Sequence, residues 1–363
     1  MKVVLVGGGT AGHVNPAVAI AEEILKREPN SQVLFIGREG GREMRAVERA
    51  GIKSLSLRVR GLSRKLFGGN IKTVLMALAA ERRAAKIIKS VGAELVIATG
   101  GYVSWPVLRA AQKLRIKTVI HESNAAPGLV TKLMAKKCDR VLLGYKKAAR
   151  SLPKKAKIST VGNPLRKDFG FISRQKARNE LKISPNEILI VSFGGSGGAR
   201  ELNYAILEVM KEICEKDKRI FHIHAVGDRF FGELTEEDMP KSSGRIRVVP
   251  YIEDMPTVLS AADIAITRAG ALTLAELAFT GVAAILVPSP NVTANHQYEN
   301  AKVICQEGGA ILCEEGEDLK ERLSETLLTL IEDKGKRQSL SAKIKRFSPR
   351  GAEERIYEEL KKL

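Results

Sequence analysis

Three kinds of site can be assembled from residue types in this chain: an anion cradle, a proton acceptor and a set of hydroxyl-binding groups. The anion cradle is Arg268-Ala269-Gly270-Ala271-Leu272-Thr273-Leu274-Ala275-Glu276. It follows the apolar run 264–267, which reads as a buried parallel strand, and opens into 274–278, which reads as a helix. Gly270 permits a tight turn, and the N–H groups of Ala271, Leu272 and Thr273 then lie at a helix N-terminus suited to a diphosphate. A carboxylate beside that anion would repel it, so Glu276, one turn further in, fits ribose hydroxyls better. A capped helix with a surface glutamate satisfies the same pattern.

The proton acceptor could be His13, which follows the turn Gly7-x-Gly9-x-x-Gly12 at a helix start. The turn fits a dinucleotide fingerprint, but the second strand ends in Gly37-Arg38 without the expected acid. His13 could act as a general base, contact an anion or cap the helix. His121-Glu122-Ser123-Asn124 closes another strand and places polar side chains at its carboxyl end, where clefts form in open sheets. Glu122 could tune a base or form a structural pair. Asn295, His296 and Gln297 leave a later strand end together, and amides and imidazoles of this kind suit sugar hydroxyls. Ser196, within Gly194-Gly195-Ser196-Gly197-Gly198, could cradle a phosphate, although no Lys-Ser/Thr follows to make a P-loop.

Alternating strand and helix patterns supply the frame. Strand-like runs occur at 3–6, 33–36, 95–98, 118–120 and 141–143, then at 188–193, 221–225, 246–249, 264–267, 284–287 and 310–312. A Gly-rich turn follows the first strand of each series. The expected fold is therefore α/β, with two doubly wound parallel-sheet domains. The boundary falls in Val161-Gly162-Asn163-Pro164.

Charge divides the same way. Residues 1–163 carry a net +21 and residues 164–363 a net −2, within a total of +19. An anionic partner is expected for the first half alone. Aromatic residues make up 5% of the chain, which is thin for base stacking and argues against nucleic acid. The stretch 58–80 has no acid and interleaves Arg58, Arg60, Arg64, Lys65 and Lys72 with Leu62, Leu66, Phe67, Val74, Leu75 and Leu78. Such a segment can lie in a bilayer interface or be an ordinary helix with a solvated basic face. Cys138, Cys214, Cys305 and Cys313 lack CxxC spacing and read as reduced thiols.

In this order, the motifs at 7–16, 100–106, 121–124, 162–166, 194–203, 251–255, 268–276 and 297–301 resemble the MurG family of inverting GT-B glycosyltransferases. These are UDP-N-acetylglucosamine–N-acetylmuramyl-(pentapeptide) pyrophosphoryl-undecaprenol N-acetylglucosamine transferases. The resemblance implies two Rossmann-like domains facing a cleft. Residues 1–163 with a returning helix at 350–363 would bind the acceptor and the membrane, and residues 164–349 would bind the donor, UDP-GlcNAc. Donor contacts would fall on Arg166 and Ser196 near phosphate, Ile252 at uracil, and Ala271, Leu272 and Thr273 at diphosphate, with Leu274 and Ala275 also in the donor site. Glu276 would sit at ribose, His296 and Gln297 at the sugar, and Thr10, Ala11, Gly12 and Asn124 would reach in from the N-terminal domain. His13 would be the base, with Glu122 as second candidate. The resemblance implies lipid I as acceptor, contact with anionic phospholipid, a peripheral position on the cytoplasmic face of the cell membrane, and no nucleic-acid partner. No Asp-x-Asp motif stands near these loops, so neither a metal nor a cofactor is expected. Ala11, Ser123, Gly197 and His296 depart from the family's commonest residues.

Overall fold

The computed structural model describes residues 1–41, 44–61, 69–170, 172–195, 198–235 and 244–363. The chain divides into two compact units. One is Met1–Lys167 together with Gly351–Leu363, and the other is Asp168–Arg350.

The first unit is built on seven strands: β1 (Lys2–Gly7), β2 (Gln32–Arg38), β3 (Lys53–Leu57), β4 (Leu95–Gly100), β5 (Lys117–Glu122), β6 (Arg140–Leu143) and β7 (Ile158–Thr160). They pair in the order β3-β2-β1-β4-β5-β6-β7, and every pairing is parallel. Both faces are covered, so β1 is apolar without interruption. Val3 and Leu5 pack on one side with Val14, Ile20 and Ile24 of the helix Ala11–Arg27. Val4 and Val6 pack on the other with residues of the helices Gly69–Val91 and Ser104–Lys113. The order reverses between β1 and β4. In open parallel sheets, binding sites lie beyond the carboxyl ends at such a reversal.

The C-terminal helix Ala352–Lys361 completes the first core through Ile356 and Leu360. Glu28 ties it down. Its carboxylate accepts from Tyr357 Oη at 2.7 Å, Lys361 Nζ at 3.1 Å and the chain's amino terminus at 3.2 Å. These donors, Tyr357 foremost, lower its pKa to about 2.

The second unit has six parallel strands: β8 (Ile188–Phe193), β9 (Ile220–Ala225), β10 (Ile246–Val249), β11 (Ile264–Thr267), β12 (Ala283–Leu286) and β13 (Ile311–Leu312). Their order is β10-β9-β8-β11-β12-β13, with its reversal between β8 and β11. The expected strands all appear. The sequence reading missed β3 and β7, the two edge strands of the first sheet. Both are half-exposed, with the polar-interrupted sequences KSLSL and IST, so neither forms an apolar run.

One polar cluster interrupts the second core. Ser192 Oγ lies 2.6 Å from His222 Nε2 and 2.7 Å from His224 Nδ1, and the two imidazoles stack at 5.5 Å. Both histidines are fully buried, and neither His222 Nδ1 nor His224 Nε2 has a partner among the described residues. Burial lowers both pKa values, that of His224 to about 4. The unfolded chain therefore binds protons that the folded unit refuses, and stability falls as pH drops below about 6.5, the ordinary histidine value. The melting temperature is expected to fall between pH 7 and pH 4.5. A His222→Leu/His224→Leu variant should show a flatter dependence, measured by calorimetry across that range.

Candidate active site

His13 stands in the first turn of the helix Ala11–Arg27, just past the carboxyl end of β1. Its Nδ1 lies 3.0 Å from Gly8 O and 3.3 Å from Thr10 Oγ1. A carbonyl only accepts, so Nδ1 carries the hydrogen and the neutral ring keeps its lone pair on Nε2. That is the tautomer a general base requires. The ring lies against Gly100, where an added Cβ would come within 2.6 Å of His13 Cδ2. Gly100 also has φ of +117°, so glycine is required there twice over. Gly101 abuts Gly8 as closely, and a Cβ at Gly7 would strike Thr99 Oγ1 and approach His13 O to 2.7 Å. The turns after β1 and β4 thus interlock at the switch point. A Cβ at Gly12 would meet only Thr10 Oγ1, at an ordinary 3.6 Å, so Gly7 fills the close-packing role that the fingerprint would give to its third glycine.

Glu122 ends β5 and is buried. Its Oε1 accepts from Asn124 N at 3.0 Å and Asn124 Nδ2 at 3.1 Å. Its Oε2 accepts from Gly128 N at 2.9 Å and Thr131 Oγ1 at 2.6 Å. Four donors converge on this one carboxylate, and through them Glu122 ties the loop from Asn124 to Thr131 to the end of β5. The neighbouring His121 donates from Nε2 to Gly162 O at 3.0 Å, and burial keeps it neutral.

Arg166 was expected with the donor domain, but it belongs to the first unit. Its neighbours explain this: Leu165 N donates to Glu353 and Lys167 N to Glu22. Thr10, Gly12 and Asn124 lie in the first unit too, as does Ala11, of whose side chain nothing is described. Ser196 and Gly197 fall outside the described residues.

In the second unit, the stretch 268–276 forms the expected turn and helix start after β11. The helix Ala271–Thr280 starts at Gly270 with no side-chain cap and no acid in its first turn, and Leu274 N makes the first helical bond to Gly270 O at 2.9 Å. Ala271, Leu272, Leu274 and Ala275 turn their side chains into the core, so only their backbone can meet a ligand. Thr273 and Glu276, three residues apart on one helical face, are the half-exposed side chains of this turn. Arg268 is spent internally, on Val287 O and an ion pair with Glu315. Ile252 is buried beyond β10.

The helix His296–Gln306 carries His296 and Gln297, both half-buried. It is entered through Ala294 and Asn295, both left-handed at φ of 55° and 49°. Gln297 Oε1 accepts from Ser289 N at 2.8 Å, which directs the amide donors away from that strand end. Asn300, fully buried on the same helix, donates to Ala269 O at 3.2 Å and so holds the backbone immediately before Gly270. The sequence reading missed Asn300, Thr99 and Gly100 as supports. Asn300 follows Gln297-Tyr298-Glu299 in a polar run, so no local pattern marks it as buried.

Models of the glycosyltransferase family 28 N-terminal and C-terminal domains match residues 3–143 and 189–356. The chain belongs to this glycosyltransferase family. A relative from Acetivibrio thermocellus, named UDP-N-acetylglucosamine–N-acetylmuramyl-(pentapeptide) pyrophosphoryl-undecaprenol N-acetylglucosamine transferase, is 40% identical over 99% of this chain and 98% of its own length. One of the same name from Halalkalibacterium halodurans is 38% identical over 98% of each chain. The solved structure of MurG from Acinetobacter baumannii is 26% identical, with a TM-score of 0.75 over 100% of this chain and 99% of that one. A UDP complex of MnaA from S. aureus, 12% identical with a TM-score of 0.72, shares the fold.

Glu122→Gln removes an acceptor and turns an amide toward donors already present. A loss of about 2–4 kcal/mol is expected, since hydrogen bonds to charged groups contribute about 1.5–3 kcal/mol each. The acidic limb of the pH–rate profile should survive; its disappearance would return Glu122 to the role of base.

Proposed function

We propose that this enzyme transfers N-acetylglucosamine from UDP-GlcNAc to the C4 hydroxyl of the muramoyl sugar of lipid I, giving lipid II with inversion. What carries the reading is full-length likeness to enzymes named for this transfer, in a chain with an acid-free helix start backed by a half-exposed glutamate. The acceptor hydroxyl oxygen attacks the anomeric carbon on the face opposite UDP. His13 Nε2 takes the hydroxyl proton. The bond from the anomeric carbon to the diphosphate oxygen breaks, and UDP leaves with the electron pair. Backbone N–H groups at the start of Ala271–Thr280 and the helix dipole stabilise the charge that develops on it. Thr273 and Glu276 face the nucleotide, Glu276 at the ribose, and Ile252 lies at the uracil. Arg166 and the Ser196 loop would add phosphate contacts, and His296 and Gln297 would hold the sugar. The second unit is the donor-binding domain in this reading, and the basic first unit binds the lipid diphosphate.

The first unit also supports docking on an anionic bilayer at the cytoplasmic face. No helix among the described residues is long and apolar enough to cross a membrane. Val74, Leu75 and Leu78 on Gly69–Val91, and Leu129 and Leu133 on Leu129–Met134, are large apolar side chains left exposed, Leu75 at 61%. Between them, Arg109, Lys113 and Lys137 line a surface groove with Trp105 and Leu133. Leu66 and Phe67, also expected on this face, fall outside the described residues.

Three outcomes test the reading. Glu276→Ala should weaken UDP binding by about 1.5–3 kcal/mol by calorimetry, the range for hydrogen bonds to a charged group; an unchanged affinity in a folded variant would remove the ribose contact. His13→Ala should lower kcat by about 10²–10⁴ with UDP affinity unaltered, as for a lost general base. A matching loss of UDP affinity would make His13 a phosphate contact instead. Vesicles containing anionic lipid should bind the protein more weakly as salt rises. Leu75→Ser/Leu78→Ser/Leu133→Ser should reduce that binding while moving stability by no more than about 0.5 kcal/mol, as exposed positions allow. Equal binding to neutral vesicles would contradict an electrostatic contribution.

A further inference from the structure

The first turn of the helix that carries His13 has no side-chain cap at its own N-cap residue, Thr10. Uncapped first turns have unsatisfied backbone groups and are the part of a helix that opens most readily. Opening here would carry the imidazole off Gly8 O. The turn is held instead from the neighbouring strand. Thr99, next to last in β4, is 2% exposed, and its hydroxyl oxygen lies 2.5 Å from His13 O and 3.3 Å from Val6 O. A hydroxyl has one proton to donate, and the shorter contact takes it. Thr99 thus bonds the backbone of the very residue whose side chain is to accept the proton. The close approach depends on Gly7, where a Cβ would run into both Thr99 Oγ1 and His13 O. The residue after Thr99, Gly100, provides the surface on which the ring lies.

We infer that Thr99 is a positioning residue for His13: its hydroxyl fastens the first helical turn to β4, so that the ring stays on Gly8 O and Gly100 with Nε2 presented to the acceptor. The inference rests on the reading of His13 as the general base. Thr99 does not touch the substrate. It acts through geometry, and displacements of about 1 Å in a catalytic group can cost up to about 10²-fold in rate.

The test compares Thr99→Val with Thr99→Ser in the full chain. Valine keeps the branched shape and lacks the hydroxyl; serine keeps the hydroxyl. Thr99→Val should lower kcat about tenfold or more, leave KM for UDP-GlcNAc within about twofold, and be largely rescued in Thr99→Ser. Long-range 1H–15N spectra, with His13 assigned through His13→Ala, should show a single Nδ1–H tautomer in the parent and in Thr99→Ser. Thr99→Val should show a mixture. If valine prevents folding, Thr99→Ala replaces it in the same comparison with serine. A wild-type kcat and tautomer in the hydroxyl-free variant would overturn the inference while leaving His13 as base, and so would a kcat loss that serine fails to rescue. Retained turnover in His13→Ala would overturn both together.

Discussion

The contact on which the most depends is the abutment of a helix start against the ends of parallel strands, with no room for a Cβ between them. In the first unit Gly7, Gly100 and Gly101 make that approach, and His13 is placed by it. The second unit solves the same problem with Gly194 and Gly198. A Cβ on Gly194 would stand 2.6 Å from that of Ala199, and one on Gly198 would stand 2.7 Å from Val226 O. A right-handed crossover brings each helix back toward the strand it left, so its N-terminus and the strand's carboxyl end face the same edge. Polar chemistry gathers at that edge because the rest of each sheet is buried on both sides.

This arrangement divides the electrostatic work. At Gly270 the field at the helix start comes from backbone dipoles, because the nearby guanidinium of Arg268 is paired with Glu315. Fixed dipoles need no reorganisation as charge develops on a leaving group. The first unit carries side-chain charge instead: residues 1–163 hold a net +21 against a total of +19. A long-range field of that kind attracts anions in general and weakens with salt, without fixing any single contact.

Strands buried on both faces were legible as continuous apolar runs, and so were the Gly-rich turns that follow them. The edge strands β3 and β7 were not, because one side of each is open to water and polar residues break the pattern. The position of Glu276 one helical turn beyond Gly270 can be read from the sequence, and its side chain is half-exposed there. The surroundings of Glu122 were not legible. Its position at a strand end suggested chemistry, but its four donors come from residues up to nine positions on, which only the folded loop brings together. Arg166 was assigned to the wrong unit for a similar reason: the contacts that hold its segment come from Glu22 and from Glu353, far away in the chain. Local pattern finds the strand ends, and long-range contacts decide what the side chains there can do.

The proposed reaction is a single displacement at the anomeric carbon, in which a base takes the acceptor hydroxyl proton and UDP leaves from the opposite face of the sugar. The most direct measurement is to incubate the enzyme with UDP-GlcNAc and a lipid I analogue and read the configuration of the new linkage from the anomeric proton coupling. UDP-GlcNAc is α-linked, so the account predicts a β-linked disaccharide. An α-linked product would contradict it, and so would the absence of transfer by a folded enzyme that binds UDP.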